Sequence, residues 1–162
     1  MITTTSTLYD SDYQLWLENT INQLRRGDFQ AVDWPNLLEE LADLVKSERR
    51  ALECLLTRLL EHLLKLTYWQ SQRDYNQAAW KGEIRTFRKQ IKKLLRDSPS
   101  LKPYLSEILE ECYTDAQEII IDITGLDASI FPGEVLASLE EILAENWLPD
   151  WEAIGNDSEK CN

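Results

Sequence analysis

The chain has 162 residues and a formal net charge of −12 at pH 7, with five glycines and five prolines. This length predicts one domain whose core is large enough to need no disulfide or metal. The scarcity of glycine and proline excludes a collagen-like or largely disordered chain. The acidic balance disfavours a polyanionic partner, because like charges repel at range.

Nothing in the sequence predicts secretion or a membrane span. The first residues, MITTTSTLYDSDY, lack the basic and apolar regions of a signal peptide. No window approaches the roughly 18 uncharged apolar residues that a membrane helix needs. Cys54, Cys112 and Cys161 are odd in number and have no close spacing, which favours a reducing compartment. We therefore expect a cytoplasmic protein that does not enter a membrane.

The first two helices are predicted from their capping residues and their apolar spacing. Asp10 or Ser11 can cap the first helix, and Gly27 is placed to end it. Asp33 is a good N-cap for the second helix, and Pro35 is tolerated in its first turn. The predicted buried stripe of this second helix consists of Leu37, Leu38, Leu41, Leu44 and Val45.

The third predicted helix has the strongest apolar pattern of the chain. Within residues 51–69, leucines recur at intervals of three and four residues, at Leu52, Leu55, Leu56, Leu59, Leu60, Leu63 and Leu66. This pattern predicts the structural centre of the fold. The sequence leaves open whether the second and third helices are continuous near Val45. A fourth helix is predicted from Trp80 to the Asp97-Ser98-Pro99 stop.

The last predicted helices complete an all-α fold. Ser98 or Ser100 can cap a fifth helix that Gly125 ends, and a short sixth helix is predicted over residues 133–145. Residues 118–124, EIIIDIT, are rich in β-branched residues that favour a strand, but they continue the helical stripe.

These elements predict a single-domain antiparallel bundle of about five to six helices. The helical domain is expected to span residues 1–152, with flexible termini at residues 1–8 and 153–162.

Five runs of sequence resemble a known family. In chain order they are YDSDYQLWLENT, DWPNLLEELADL, LLTRLLEHLLKLTYWQ, WKGEIRTFRKQI and DSPSLKPYL. Together they resemble the family called domain of unknown function 29, which is abundant in cyanobacteria. The resemblance covers nearly the whole chain and implies a helical bundle without an assigned activity, cofactor or catalytic residue. The family pattern has a glycine-like position near Val45 that this chain lacks.

The single histidine, His62, is the first candidate for chemistry. Its place on the helix predicts a boundary position beside Arg58, about a quarter-turn from the leucine stripe. Glu40 is the expected partner, on the assumption that the second helix packs against the third. With Arg88 these residues form a candidate polar site for an enzyme or for a metal or ligand, although such a buried pair is usually structural. The spacings of known zinc motifs are absent from the sequence.

The second candidate is a basic helix face. It consists of Lys81, Arg85, Lys89, Lys92, Lys93 and Arg96. Such a face can follow a phosphate backbone, so the second alternative is a nucleic-acid-binding accessory protein. Against it, residues 105–162 hold 15 acidic residues and one basic residue. The simpler interpretation is charge complementarity within the chain or between copies.

The sequence contains no set of catalytic residues in a known arrangement, and we expect no cofactor and no metal. The best-supported hypothesis is a cytoplasmic helical module that binds another protein or a second copy of itself. An enzyme or ligand-binding protein is the alternative, and a nucleic-acid partner is the least favoured.

Overall fold

The computed structural model describes residues 7–155, and these residues contain helices and no strand. This confirms the predicted all-α class and the helical bundle. The elements are α1 (Leu8–Ser11), α2 (Tyr13–Arg26), α3 (Trp34–Tyr68), α4 (Gln70–Asp97), α5 (Leu101–Thr124), a 3₁₀ turn (Ala128–Ile130), α6 (Leu139–Leu143) and α7 (Trp151–Gly155). The expected flexible termini lie mostly outside the described residues, as does Cys161.

The chain forms two compact units, Met1–Ser47 (unit 1) and Glu48–Asn162 (unit 2). The single domain over residues 1–152 stays a prediction. Among the described residues, no helix combines the length and the apolar character that crossing a bilayer requires.

Unit 1 contains α1, α2 and the first part of α3. Asp12, rather than Asp10 or Ser11, caps α2, because its carboxylate accepts the Leu15 amide at 3.0 Å. Gly27 ends α2 with a φ of 75°, as its position predicted. Few side chains of this unit are buried, and among its described residues they are Trp16, Thr20 and Val32. Unit 1 therefore has a very small core.

Helix α3 answers the question that the sequence left open near Val45, because the second and third predicted helices are one continuous helix. It runs without interruption from Trp34 to Tyr68. The segment KSERRA at residues 46–51 contains no glycine or proline, so nothing in it terminates a helix. The predicted buried stripe of the second helix is wrong. Its members Leu38, Leu41, Leu44 and Val45 are exposed by 60%, 51%, 64% and 56% respectively.

Unit 2 holds the hydrophobic core that the leucine pattern predicted. Six of the seven predicted leucines are completely buried in it, and so is Leu64, which the pattern did not include: Leu52, Leu56, Leu59, Leu60, Leu63, Leu64 and Leu66. The predicted Leu55 is only half-buried and packs against the edge of this core. Helices α4 and α5 contribute further apolar side chains, including Ile84, Ile91, Leu105 and Ile120. Full burial of one such side chain contributes about 1.5–3 kcal/mol. This core therefore dominates the stability of the molecule.

Helix α4 begins ten residues earlier than the apolar pattern indicated, at Gln70. Its first part, QSQRDYNQAA, is polar, so it lacks the periodic stripe from which the sequence prediction was made. Arg73 fixes this start, because its guanidinium donates to the carbonyls of Leu66 and Thr67 at 2.7 and 2.6 Å. These carbonyls belong to the last turn of α3, where a cation is favourable.

The C-terminal elements show one confirmed helix end and one shortened helix. Helix α5 includes residues 118–124 and ends at Gly125, whose φ is 67°. Helix α6, Leu139–Leu143, is shorter than the predicted helix over residues 133–145. The hydroxyl of Ser138 and the carboxylate of Glu141 form a capping box, which sets the start of the helix at Leu139.

Candidate functional site

His62 lies inside unit 2 with both ring nitrogens occupied. The side chain is only 4% exposed. Nε2 lies 2.6 Å from a carboxylate oxygen of Glu83 on α4, and Nδ1 lies 2.7 Å from the backbone carbonyl oxygen of Arg58. The sequence placed His62 at a boundary. The structure places its ring in the interior and the Glu83 carboxylate, which is half exposed, at the edge.

The two partners of His62 occupy both of its ring nitrogens. A carbonyl oxygen can only accept a hydrogen bond, so Nδ1 donates to the carbonyl of Arg58. Nε2 faces the carboxylate of Glu83, so this contact joins α3 to α4. Both ring nitrogens are therefore engaged within the protein.

Aromatic packing closes the remaining faces of this contact. The ring of Phe87 meets the His62 ring edge-on, with centroids 5.3 Å apart. The guanidinium of Arg58 lies 5.6 Å from the centroid of Phe87, in cation–π geometry. Arg58 therefore meets His62 through its backbone carbonyl and Phe87 through its side chain.

Glu83 is the residue that sequence reasoning missed at this site. A signal for it existed, because Glu83 precedes Phe87 by four residues and so shares its helix face. Phe87 belongs to the apolar pattern of α4, and a carboxylate on the same face is placed to meet the helix packed against it. Choosing between Glu83 and Glu40 required the tertiary structure.

Glu40 has different partners, in unit 1. Its two carboxylate oxygens accept the hydroxyls of Tyr9 at 2.6 Å and Tyr13 at 2.8 Å. These hydrogen bonds, reinforced by burial and by the negative charge, raise the pKa of Tyr9 to about 12 and also raise that of Tyr13. The rings of Tyr9, Tyr13 and Trp16 pack together, with centroids 4.8–5.9 Å apart. Glu40 therefore organises a small aromatic cluster.

Arg88 is buried, with 3% of its surface exposed, and binds backbone rather than a ligand. Its guanidinium donates to the carbonyls of Ile142 at 2.7 Å, Glu145 at 3.3 Å and Trp147 at 2.8 Å. Burial lowers its pKa from the ordinary value. These carbonyls lie at and just beyond the C-terminal end of α6, where a positive charge satisfies unpaired acceptors. Arg88 fixes the C-terminal segment to α4.

The basic face of α4 is largely open to solvent. Arg85, Lys89, Lys92, Lys93 and Arg96 are exposed, and no ion pair involves them within residues 7–155. Lys81 is half-buried, with its ammonium 5.3 Å from the ring centroid of Trp151. A shallow cavity of about 120 Å³ is lined by Arg85, Arg88, Lys89, Lys92 and Glu145.

A further cavity is acidic and lies along α5. Its volume is about 760 Å³, and it is lined by Ser106, Glu107, Leu109, Glu110, Tyr113, Thr114, Gly133, Glu134 and Val135. Three carboxylates and no basic residue make this cleft unfavourable for an anionic ligand. Over the described part of the chain, no cluster of three or more histidine, cysteine or acidic side chains could hold a metal ion.

The two cysteines of the described residues differ in their exposure, since Cys54 is exposed and Cys112 is buried. Cys54 and Cys112 are both free. Cys112 is buried, and this burial raises its pKa, which disfavours the nucleophilic thiolate.

The most unusual surface is one that the sequence prediction had placed in the core. We call Leu38, Leu41, Leu44 and Val45 the exposed stripe. Every residue from Leu41 to Ala51 is exposed, so the middle of α3 is a helical segment that is open to solvent on all sides. Contiguous apolar side chains on a protein surface mark interaction sites more often than isolated ones do.

Comparison with known proteins identifies a family but no activity. A family model described as Domain of unknown function DUF29 matches residues 8–148 of the chain. No curated protein and no solved structure matches the sequence. Function has to be argued from the geometry of the chain itself.

Proposed function

We propose that this chain, which belongs to the DUF29 family, is a cytoplasmic protein-interaction module that binds its protein partner through the exposed stripe of α3. The observation that carries the proposal is the exposure of four consecutive members of an apolar helical pattern. A helix with an apolar stripe ordinarily packs that stripe against another element.

The chemistry of the predicted polar site supports binding over catalysis. His62 and Arg88 are both buried and both engaged by partners within unit 2. A general base or a metal ligand needs a nitrogen that can reach a substrate or an ion. This arrangement offers none, so it supports a structural role for these residues.

A cytoplasmic location is supported by the free cysteines. Cys54 is exposed and unpaired, a state that persists in a reducing compartment.

The nucleic-acid alternative rests on one specific observation, the exposed and unpaired basic face of α4. The net charge of −12 opposes it. Binding of mixed-sequence DNA or RNA at low salt, lost in a Lys89→Glu and Lys92→Glu double variant, would favour this alternative.

The proposed function is tested by photo-crosslinking inside the cells that produce the protein. A photoreactive amino acid replaces Ala42, which is exposed and flanks the exposed stripe. In the control chain it replaces Asp122, which is exposed on α5. We expect a protein adduct at position 42, its loss when Leu41→Glu is added, and no such adduct at position 122.

The absence of any adduct at position 42, or an adduct that Leu41→Glu leaves unchanged, would contradict binding through the exposed stripe. Circular dichroism of Leu41→Glu is the control for folding. Leu41 lies outside the core, so its helix content should be unchanged.

A further inference from the structure

We propose that unit 2 binds the phosphate group of a small phosphorylated compound, in two adjoining cavities between the basic face of α4 and the residues that follow α6. This site goes beyond the proposed function and does not depend on it, because the exposed stripe lies in unit 1. Three observations support the site: a buried cation without a counter-ion, a row of cations on one helix face and the size of the two cavities.

Arg88 is a buried positive charge that no carboxylate pairs with among residues 7–155. Its side chain is 3% exposed, and the ion pairs of these residues do not include it. Three of the N–H groups of its guanidinium donate to backbone carbonyls, which carry no net charge. A buried arginine is ordinarily paired with an anion, because desolvation of a lone charge is costly. An anion bound beside Arg88 supplies this missing charge.

Arg88 belongs to a row of four cations on one face of α4. Successive members are four, three and four residues apart, which places all of them within about 60° of the helix circumference. They are Lys81, Arg85, Arg88 and Lys92. Like charges at these spacings repel one another and destabilise a helix. In the part of the chain that the structure describes, no ion pair offsets this repulsion. A local arrangement that lowers stability is expected where residues serve a ligand.

The first cavity is suited to a phosphate group. Its volume is about 120 Å³, and it is lined by Arg85, Arg88, Lys89, Lys92 and Glu145. This volume exceeds the roughly 10–15 Å³ that one water needs and stays below the roughly 300 Å³ of typical ligand pockets. Four cations outnumber the single carboxylate by three. This excess suits the charge of about −1.5 to −2 of a phosphate group better than the single charge of a carboxylate.

The second cavity adjoins the first and is suited to the organic part of the compound. Its volume is about 150 Å³, and it shares Arg85, Arg88 and Glu145 with the first cavity. The rest of its lining consists of one ammonium group, two aliphatic side chains and one amide, from Lys81, Ile84, Leu148 and Asn146. A phosphomonoester with an apolar body can therefore contact both cavities, whereas inorganic phosphate fills the first alone.

The surroundings of the cavities favour a small ligand over a nucleic acid. The segment that Arg88 holds against α4 is acidic, since residues 139–152 contain five acidic residues and no basic residue. A compact anion stays close to the row of cations, and charges beyond a Debye length of about 8 Å affect it little. A long polyanion extends past the row and is repelled by the acidic segment.

The first test is isothermal titration calorimetry of the full chain with inorganic phosphate and with phenyl phosphate, near neutral pH and at physiological ionic strength. We expect saturable binding of one molecule per chain, with phenyl phosphate the tighter of the two. Lys89→Met and Lys92→Met should each raise the dissociation constant at least about fivefold, because each removes a charged donor from the first cavity.

Lys93→Met is the matched control for these two variants. Lys93 is also exposed on α4 but lines neither cavity. Its replacement changes the net charge by the same amount, so the dissociation constant should stay within about twofold of the wild-type value.

The second test changes affinity in the opposite direction. Glu145→Gln should tighten the binding of inorganic phosphate severalfold, because Glu145 is the one carboxylate in the lining of the two cavities. Glu140→Gln, at another exposed position that lines neither cavity, should leave the affinity unchanged. A purely structural role of the row of cations predicts no gain of affinity in either variant.

The absence of saturable binding of both compounds overturns the inference. Binding that Lys93→Met weakens as much as Lys92→Met also overturns it, because the attraction would then come from the general charge of α4. Equal affinity for the two compounds would reject the second cavity and assign the first to free phosphate. Single-stranded DNA that displaces phosphate, with an affinity that rises with its length, would assign the row of cations to a nucleic acid instead.

Discussion

The two parts of α3 carry the same apolar spacing and have opposite environments. In residues 34–47 the apolar members of the pattern are mostly exposed, whereas in residues 48–68 the leucines are completely buried except for Leu55, which is half-buried. The spacing thus specifies which residues share a face of the helix. Whether that face is covered depends on what else the chain supplies.

The covering elements differ between the two units. In unit 2, α4 and α5 add their own apolar side chains to the leucines of α3. Within its described residues, from Thr7 onward, the helices that unit 1 offers besides α3 are the four residues of α1 and the fourteen of α2. The difference shows that a leucine pattern specifies a face of a helix, and that covering this face requires apolar side chains from other elements.

The polar partners of α3 show the same organisation in both units. Glu40 accepts two tyrosine hydroxyls in unit 1, and Glu53 accepts the hydroxyl of Tyr104 in unit 2. In each unit a glutamate of α3 anchors a tyrosine from another helix.

The largest expected effect is on stability in the buried part of α3. Leu59→Ala should lower the free energy of unfolding by about 2–5 kcal/mol, because Leu59 is completely buried and its removal leaves a cavity. Urea unfolding followed by circular dichroism measures this loss. A loss below about 1 kcal/mol would show that the leucine core is loosely packed.

The second-largest expected effect is the loss of stability when the hydrogen bonds from Arg88 to residues 142–147 are removed. Arg88→Met keeps the length of the stem and removes all the donors, so the carbonyls of Ile142 and Trp147 lose their partners. Leaving buried acceptors unsatisfied should cost about 1–3 kcal/mol. Hydrogen exchange should increase around residues 139–147. Arg85→Met, at an exposed position on the same helix, should change neither quantity.

A pH titration compares the tyrosine contacts of the two units. The pKa values of Tyr9 and Tyr104 are both raised to about 12, in each case chiefly by a hydrogen bond to glutamate. The neutral hydroxyl is the donor, so the stabilisation is complete below pH 10 and is lost as the pH rises through 12.

Glu40→Gln should return Tyr9 and Tyr13 towards their ordinary pKa, and Glu53→Gln should do so for Tyr104 alone. Phenolate absorbance during a spectrophotometric titration measures both changes. Identical titration curves for the wild type and Glu40→Gln would contradict the Glu40 contacts.

The smallest expected effect is Leu38→Ala, the exposed counterpart of Leu59→Ala. It should change the free energy of unfolding by no more than about 0.5 kcal/mol, because Leu38 is exposed by 60%. Urea unfolding under the same conditions provides the direct comparison. A loss approaching that of Leu59→Ala would show that the exposed stripe is covered within the monomer.

Local chemistry predicted several features of the fold correctly. Gly27 and Gly125 end their helices in the left-handed conformation that glycine adopts without strain. The carboxylate of Asp33 accepts the Asn36 amide at 3.4 Å, at the start of α3. The leucines of residues 51–69 form the core. Each of these outcomes depends on residues that are close together in the sequence.

The errors arose where an outcome depended on distant parts of the chain. The start of α4 is polar and is fixed by the reach of Arg73 to the end of α3. The partner of His62 proved to be Glu83 on the next helix. The Arg73 contact leaves no periodic signal in the sequence, and the spacing that places Glu83 on the helix face of Phe87 does not choose Glu83 over Glu40.

By itself, the sequence determined the all-α class and which residues share a face of each helix, because helix periodicity and capping are local properties. It also determined the family to which the chain belongs. Only the tertiary structure decided which apolar face is buried and which polar groups meet. An apolar helix face is buried only when another element packs against it. The position of that element is set by contacts between residues far apart in the chain. The exposed stripe of α3 is the clearest case, since its residues follow the same spacing as the core leucines but lack a cover among the described residues.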